Sequence, residues 1–129
     1  MSISCLLVPR SDASPDQLRR LGRAIFDWHL DPASNCSWLE HDQILDMFAG
    51  NQPRPLTSSR RERLAELEPA DRDRVTRAWL TRDTPGLSFS IFQGNFDRDK
   101  SIASLQQFLT PDVTSSVQDL LIGEQSWTN

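Results

Sequence analysis

Three residues whose side chains can do chemistry stand within a few positions of each other: Cys36, Glu40 and His41. A thiolate beside an imidazole is the pair that cysteine nucleophiles use, and thiol, imidazole and carboxylate groups also bind zinc. The chain has only two histidines, and the other, His29, precedes this group. The repeated close spacings of zinc sites are absent, and nothing that flanks Cys36 indicates an activated thiol. We therefore expect Cys36 and His41 to be structural residues, and we expect no cofactor. A small Cys/His enzyme or metal protein is an alternative.

The residues 94–101 resemble a phosphate-binding loop only in part. That motif needs a glycine, four residues, and then Gly-Lys followed by Ser or Thr. Here Gly94 is followed, after four residues, by Asp99-Lys100-Ser101. Asp99 stands where a glycine would let the backbone approach a phosphate, and Asp97 adds a second negative charge. We expect Asp97 or Asp99 to cap the helix that follows, and we expect no binding of ATP or GTP.

The most distinctive surface is predicted over the arginine-rich residues 54–82. This stretch has eight arginines against five carboxylates, a net charge of +3, while the whole chain carries −4 and the remainder therefore −7. A solvated face with ion pairs explains much of the alternation of charge. Docking to another protein is the functional interpretation that we favour, because the planar fork of arginine pairs well with carboxylates. The residues assigned to this docking face are Arg60, Arg61, Arg63, Arg74 and Arg77.

A nucleic-acid-binding regulator that uses the same arginine-rich helices, within residues 59–82, is the main alternative. Two short helices that meet at Glu68-Pro69 match a helix-turn-helix in outline, but the usual glycine-containing turn is absent. The net charge of −4 also opposes a bulk electrostatic attraction to nucleic acid. We therefore expect a small, non-catalytic bacterial accessory or regulatory protein whose partner is another protein with an acidic surface.

Length and composition set the broad class. A chain of 129 residues, with 37% hydrophobic and 25% charged residues, fits one globular domain over 1–129. An internal seam is expected at 51–56, where prolines interrupt the chain, and a polar tail at 124–129. No apolar run approaches the roughly 20 residues that a membrane span needs. With no signal peptide and only two cysteines, we expect a cytoplasmic protein with free thiols.

Hydrophobic periodicity predicts the elements. Period-2 alternation predicts strands near 3–8 and 87–92. Long helical segments separate them, which permits a parallel pairing of neighbours and leaves the direction open. A capping box at Ser14 predicts a helix that ends near Leu30. A second capping box at Ser37 predicts a helix, closed by Gly50, whose apolar stripe is Trp38, His41, Leu45 and Phe48, with Ile44 beside it.

Four further helices are predicted along the rest of the chain. Two cover the arginine-rich stretch, a third carries Ile102, Leu105, Phe108 and Leu109, and the last carries Val113, Val117, Leu120 and Leu121. The fold class predicted from the sequence is thus a mainly helical α+β domain, with about six helices packed on a small two-stranded sheet.

Overall fold

An antiparallel sheet forms the centre of the computed structural model, which describes residues 2–54, 85–92, 98–122 and 125–126. The strands lie side by side in the order β2-β3-β1-β4-β5, and each neighbouring pair is antiparallel. In chain order they are β1 (Ser2–Pro9), β2 (Cys36–Leu39), β3 (Leu87–Phe92), β4 (Val117–Ile122) and the two-residue β5 (Gln125–Ser126).

Four α-helices and one short 3₁₀ helix accompany the sheet in the described residues. The α-helices are α1 (Pro15–Leu30), α2 (His41–Phe48), α3 (Arg98–Phe108) and α4 (Pro111–Thr114), and the 3₁₀ helix is Pro32–Ser34. The prediction of about six helices on a two-stranded sheet is therefore wrong, because the sheet has four strands besides β5. The broader class, α+β, is confirmed.

The two strands predicted from alternation, β1 and β3, are confirmed as neighbours, but they run antiparallel. Cys5 is paired with Phe89 and Leu7 with Leu87, so the residue numbers rise on one strand as they fall on the other. The parallel pairing that the sequence permitted is not the one that forms. A long connection permits either direction, and the additional strand β2 lies between them in the sequence.

The predicted helix that starts at Ser37 is also wrong at its beginning, because Cys36–Leu39 is strand β2. Trp38 is paired with Ser90 of β3, and Leu39 with Phe89. Helix α2 starts only at His41, and its N-cap residue, Glu40, makes no side-chain capping hydrogen bond. Pairing with the edge of β3 has overridden the local capping signal.

The later start also changes the face that α2 buries. The predicted stripe placed His41 and Leu45 inward, but Leu45 is 64% exposed. Gln43, Ile44 and Met47 are the buried residues of the helix. Gly50 is confirmed as the residue after the C-cap, with φ of +80°. The Gly50 amide donates to Met47 and the Asn51 amide to Asp46, which is the Schellman closure.

The predicted helix over Val113 to Leu121 is replaced by two elements. Helix α4 ends at Thr114, and Val117 begins strand β4. The Ser116 hydroxyl donates to the carbonyl of Val113 at 2.6 Å and helps to close the helix. Val113, Val117, Leu120 and Leu121 fit a helical stripe, but short apolar runs also fit a strand, and here β1 supplies the pairing partner.

Helix α1 is confirmed with its capping box at Ser14 and Gln17 and with Pro15 at the first position. Its buried face includes Leu21, Ile25 and Trp28, which pack on sheet residues such as Leu7 and Phe89. Helix α2 packs against another side of α1. At Gly22 an added Cβ would lie only 2.7 Å from Met47 Cβ, so the absence of a side chain lets the two helices approach closely.

The central strand β1 is buried on both of its faces. Cys5 and Leu7 belong to the core that includes α1, and Leu6 and Val8, which alternate with them, are also buried. The two strands predicted from alternation are thus two of the three interior strands of a larger sheet.

Within the described residues, no helix combines the length and the apolar character needed to cross a membrane.

Candidate functional site

The candidate site is an open cavity where the end of α1 meets β2 and the start of α2. Its volume is about 340 Å³, and its walls are formed by His29, Cys36, Ser37, Trp38, Leu39 and His41. Helix α1 supplies His29, strand β2 supplies the middle residues, and α2 supplies His41. The fold therefore brings together Cys36 and both histidines, which were considered for chemistry from the sequence.

The two imidazole rings lie next to each other in this cavity. Their centroids are 6.0 Å apart, and their planes are inclined by 69°. His29 also packs on Phe26 at 4.8 Å, and Phe26 packs on Phe48 at 5.6 Å. The His29–His41 contact thus continues a line of rings between α1 and α2. The sequence spacing of the histidines gave no indication of this contact.

A hydrogen bond within α1 determines which nitrogen of His29 carries a proton. His29 Nδ1 lies 2.5 Å from the carbonyl oxygen of Phe26. A carbonyl oxygen can only accept, so Nδ1 is the donor, and in the neutral ring Nε2 holds the lone pair. His29 is half-buried and His41 is exposed.

The thiol of Cys36 is poorly suited to nucleophilic catalysis. Burial raises its pKa to about 11, although backbone hydrogen bonds involving Trp38 and Ser90 oppose that shift. Cys36 Sγ donates to the Trp38 carbonyl at 3.3 Å. At neutral pH the group is therefore almost wholly the protonated thiol, whereas a reactive cysteine needs its thiolate.

Metal ligation by three or more side chains is not found in the part of the chain that the structure describes. No group of three His, Cys, Asp or Glu residues there is arranged to hold an ion. Zinc sites usually use three or four protein ligands. The described residues therefore offer at most a site with fewer protein ligands.

The partial phosphate-loop motif is described only at its end, because residues 94–97 lie outside the described residues. Asp99 and Lys100 are exposed in the first turn of α3, whereas Ser101 is buried. The Ser101 hydroxyl lies 3.3 Å from the Ala33 carbonyl and 3.0 Å from that of Ser34, and it donates to this pair. In a phosphate loop this hydroxyl would face a magnesium ion, but here it joins α3 to the 3₁₀ helix.

The predicted docking residues Arg60, Arg61, Arg63, Arg74 and Arg77 lie outside the described residues, as does most of the arginine-rich stretch. Its first arginine, Arg54, is described. Arg54 Nε is 3.1 Å from Asp46, and Nη2 is 3.6 Å from Asp42. This guanidinium is therefore already paired with carboxylates of α2.

The backbone of Arg54 is held by a buried glutamine that the sequence analysis did not select. Gln43 accepts from the Arg54 amide at 2.6 Å and donates to the Arg54 carbonyl at 3.1 Å. Gln43 is fully buried, so its amide satisfies two backbone groups where water is excluded. A glutamine next to Ile44, on the face that the helix buries, was the available signal. This clamp fixes the chain where the arginine-rich stretch begins.

Comparison with known proteins found no family model, no curated protein and no solved structure that matches this chain.

Proposed function

We propose that this protein is a small, non-catalytic accessory protein that binds another protein through the arginine-rich helices predicted within 59–82. The observation that carries the proposal is the separation of charge along the chain. Residues 54–82 have a net charge of +3, and the remainder has −7. A partner with an acidic surface is complementary to this stretch, and arginine is enriched at protein interfaces.

The chemistry of two groups, the Cys36 thiol in the cavity and the Ser101 hydroxyl on α3, supports the non-catalytic part of this proposal. The thiol that would act as a nucleophile is held protonated, with a pKa of about 11. The Ser101 hydroxyl, which a nucleotide site would need, donates to backbone carbonyls. Both groups donate hydrogen bonds to backbone carbonyls, and these bonds oppose their use as reactive groups.

The test compares two charge-reversal variants in affinity purification from the native host. Arg74→Glu/Arg77→Glu reverses two arginines of the proposed docking face. The matched control is Arg19→Glu/Arg23→Glu, whose arginines are exposed on α1 beside Asp16 and Asp27. Captured proteins are identified by mass spectrometry, and the principal partner is then purified for a binding titration. We expect the first variant to lose at least tenfold in affinity, and the control to retain it.

A charge swap makes this test specific for ion pairing. Replacing the partner's facing carboxylates by lysine should restore binding to Arg74→Glu/Arg77→Glu, and raising the salt concentration should weaken the wild-type complex. Unchanged affinity in the folded double variant would contradict the proposal. Duplex binding in a gel-shift assay, lost in the same variant, would favour the nucleic-acid alternative instead.

A further inference from the structure

The two histidines of the chain meet on the wall of one open cavity. His29 and His41 come from different helices, yet their ring centroids are 6.0 Å apart. Both rings line the cavity of about 340 Å³, so small solutes can reach them from solvent. These two are the only histidines of the sequence. The fold therefore places both imidazole side chains on the wall of the same accessible cavity.

His29 is already oriented as a metal ligand would be. Its Nδ1–H donates to the Phe26 carbonyl, which leaves the Nε2 lone pair as the free ligand atom. Histidines that bind metals usually donate their other ring N–H to a carbonyl or carboxylate, which fixes both the tautomer and the ring. The hydrogen bond within α1 thus performs the orienting step without any metal present.

The distance between the rings also fits a shared ion. A metal about 2.0–2.1 Å from a ring nitrogen lies roughly 3.2 Å from that ring's centroid, so two imidazoles on one ion have centroids at most roughly 6.4 Å apart. The observed 6.0 Å is inside this limit. With the same metal-to-centroid distance, a tetrahedral angle at the ion puts the two ring centroids roughly 5.2 Å apart. The exposed side chain of His41 can close that difference by rotating.

We propose that His29 and His41 form an open site for a divalent late transition-metal ion, such as zinc or copper, with water in the remaining positions. Imidazole ligands suit these ions, whereas magnesium and calcium prefer oxygen. Cys36 lies on the same wall, but its Sγ–H donates to the Trp38 carbonyl at 3.3 Å, so we do not assign it as a ligand of this site. Some coordination positions of the ion are left to water, because the described residues contain no cluster of three ligating side chains.

The test is calorimetric titration of the full chain with zinc chloride in a buffer that binds zinc weakly. We expect one ion per chain, and at least a tenfold loss of affinity in His41→Ala. His41 is exposed, so this variant should remain folded. His29→Gln should lose the same interaction, and Cys36→Ser is the matched control that should bind zinc as the wild type does.

Cobalt absorption provides an independent readout of the ligands. Cobalt bound by two imidazoles and water should show no charge-transfer band from sulfur, and its d–d bands should disappear in His41→Ala. A sulfur band that is lost in Cys36→Ser would overturn the two-histidine site. Equal zinc affinity in the wild type and in folded His41→Ala would overturn it as well. The outcome is independent of partner binding, since the arginine variants are not used.

Discussion

The two sides of helix α1 use aromatic rings in opposite ways. On the side that faces the sheet, Trp28 is completely buried and packs edge-on against Phe89, with ring centroids 5.2 Å apart. On the side that faces α2, Phe26 and His29 are only half-buried, and their line of rings ends at the exposed His41. One side is a closed core, and the other opens into the cavity.

This difference shows that the element packed against an aromatic ring, rather than the residue type, decides whether the ring stabilises the fold or stays accessible for binding. A sheet covers the whole ring of Trp28, so its apolar area leaves water. Helix α2 has only eight residues and leaves the ends of its neighbours accessible. Stability should therefore concentrate on the sheet side of α1, and binding on the α2 side.

The largest predicted effect is on the sheet side. Trp28→Ala should lower the free energy of unfolding by about 3–5 kcal/mol, since it leaves a large cavity beside Phe89. Phe26→Ala should lower it by less than half as much, because that ring is half-buried. Urea denaturation of both variants measures the two losses. Equal losses would contradict the division of α1 into a closed side and an open side.

A third variant sharpens the same comparison. The indole Nε1 of Trp28 is buried and has no hydrogen-bond partner within the described residues. Trp28→Phe removes this unpaired donor while it keeps an aromatic ring. We expect it to lose much less stability than Trp28→Ala.

The second prediction concerns the thiol in the cavity. With a pKa raised from 9.0 to about 11, Cys36 has roughly 100-fold less thiolate at neutral pH than an ordinary cysteine. A thiolate of higher pKa is also intrinsically more nucleophilic, so alkylation by iodoacetamide should be about tenfold slower in the native protein than in urea. Peptide mapping by mass spectrometry distinguishes Cys36 from Cys5. Equal native and denatured rates would contradict the raised pKa of this thiol.

The same shift gives a signed effect of pH on stability. The folded protein holds the Cys36 proton more tightly than the unfolded chain does. The protonated thiol therefore contributes to the free energy of unfolding, and this contribution is fully present below about pH 9. It is lost as the pH rises through about 11. Cys36→Ser should reduce the fall of stability with pH in this interval.

The sequence predicted the elements that carry their own signals. Helix α1 has a capping box at Ser14 and a regular stripe, and β1 and β3 have clear alternation. It failed where long-range pairing decides between two local options. Cys36–Leu39 became a strand because β3 offered an edge, and Val117 began a strand because β1 did. No local pattern contains that information.

The candidate site was predicted only as a set of residue types. Cys36 and His41 were selected from the sequence, but the contact between His29 and His41 depends on the antiparallel packing of α1 and α2. That packing requires Gly22, where α2 approaches too closely for a side chain. The burial of Gln43 was missed for a related reason. The predicted helix started too early, and the position where a helix starts sets which of its residues face inward.

The third prediction tests the buried clamp on α2. Gln43→Leu should lower the free energy of unfolding by roughly 2 kcal/mol, because the amide and carbonyl of Arg54 lose their partners. The matched control is Gln52→Leu, which removes one exposed hydrogen bond to the Arg10 carbonyl and should cost less than about 1 kcal/mol. Thermal unfolding measures both. A neutral Gln43→Leu would show that water or a rearranged backbone satisfies Arg54 equally well.

The smallest predicted effect is at the start of α1, which both of its sides share. Ser14→Ala removes the hydroxyl that accepts from the Gln17 amide at 3.2 Å and should lower the free energy of unfolding by about 1 kcal/mol. The exposed Ser11, changed to alanine, serves as the control and should have an effect below about 0.5 kcal/mol. Because Ser14 is remote from the cavity along α1, its loss should leave the alkylation rate of Cys36 in the native state unchanged. A faster rate in Ser14→Ala would mean that local opening of α1 exposes the Cys36 thiol further, and that the two sides of α1 are not energetically separate.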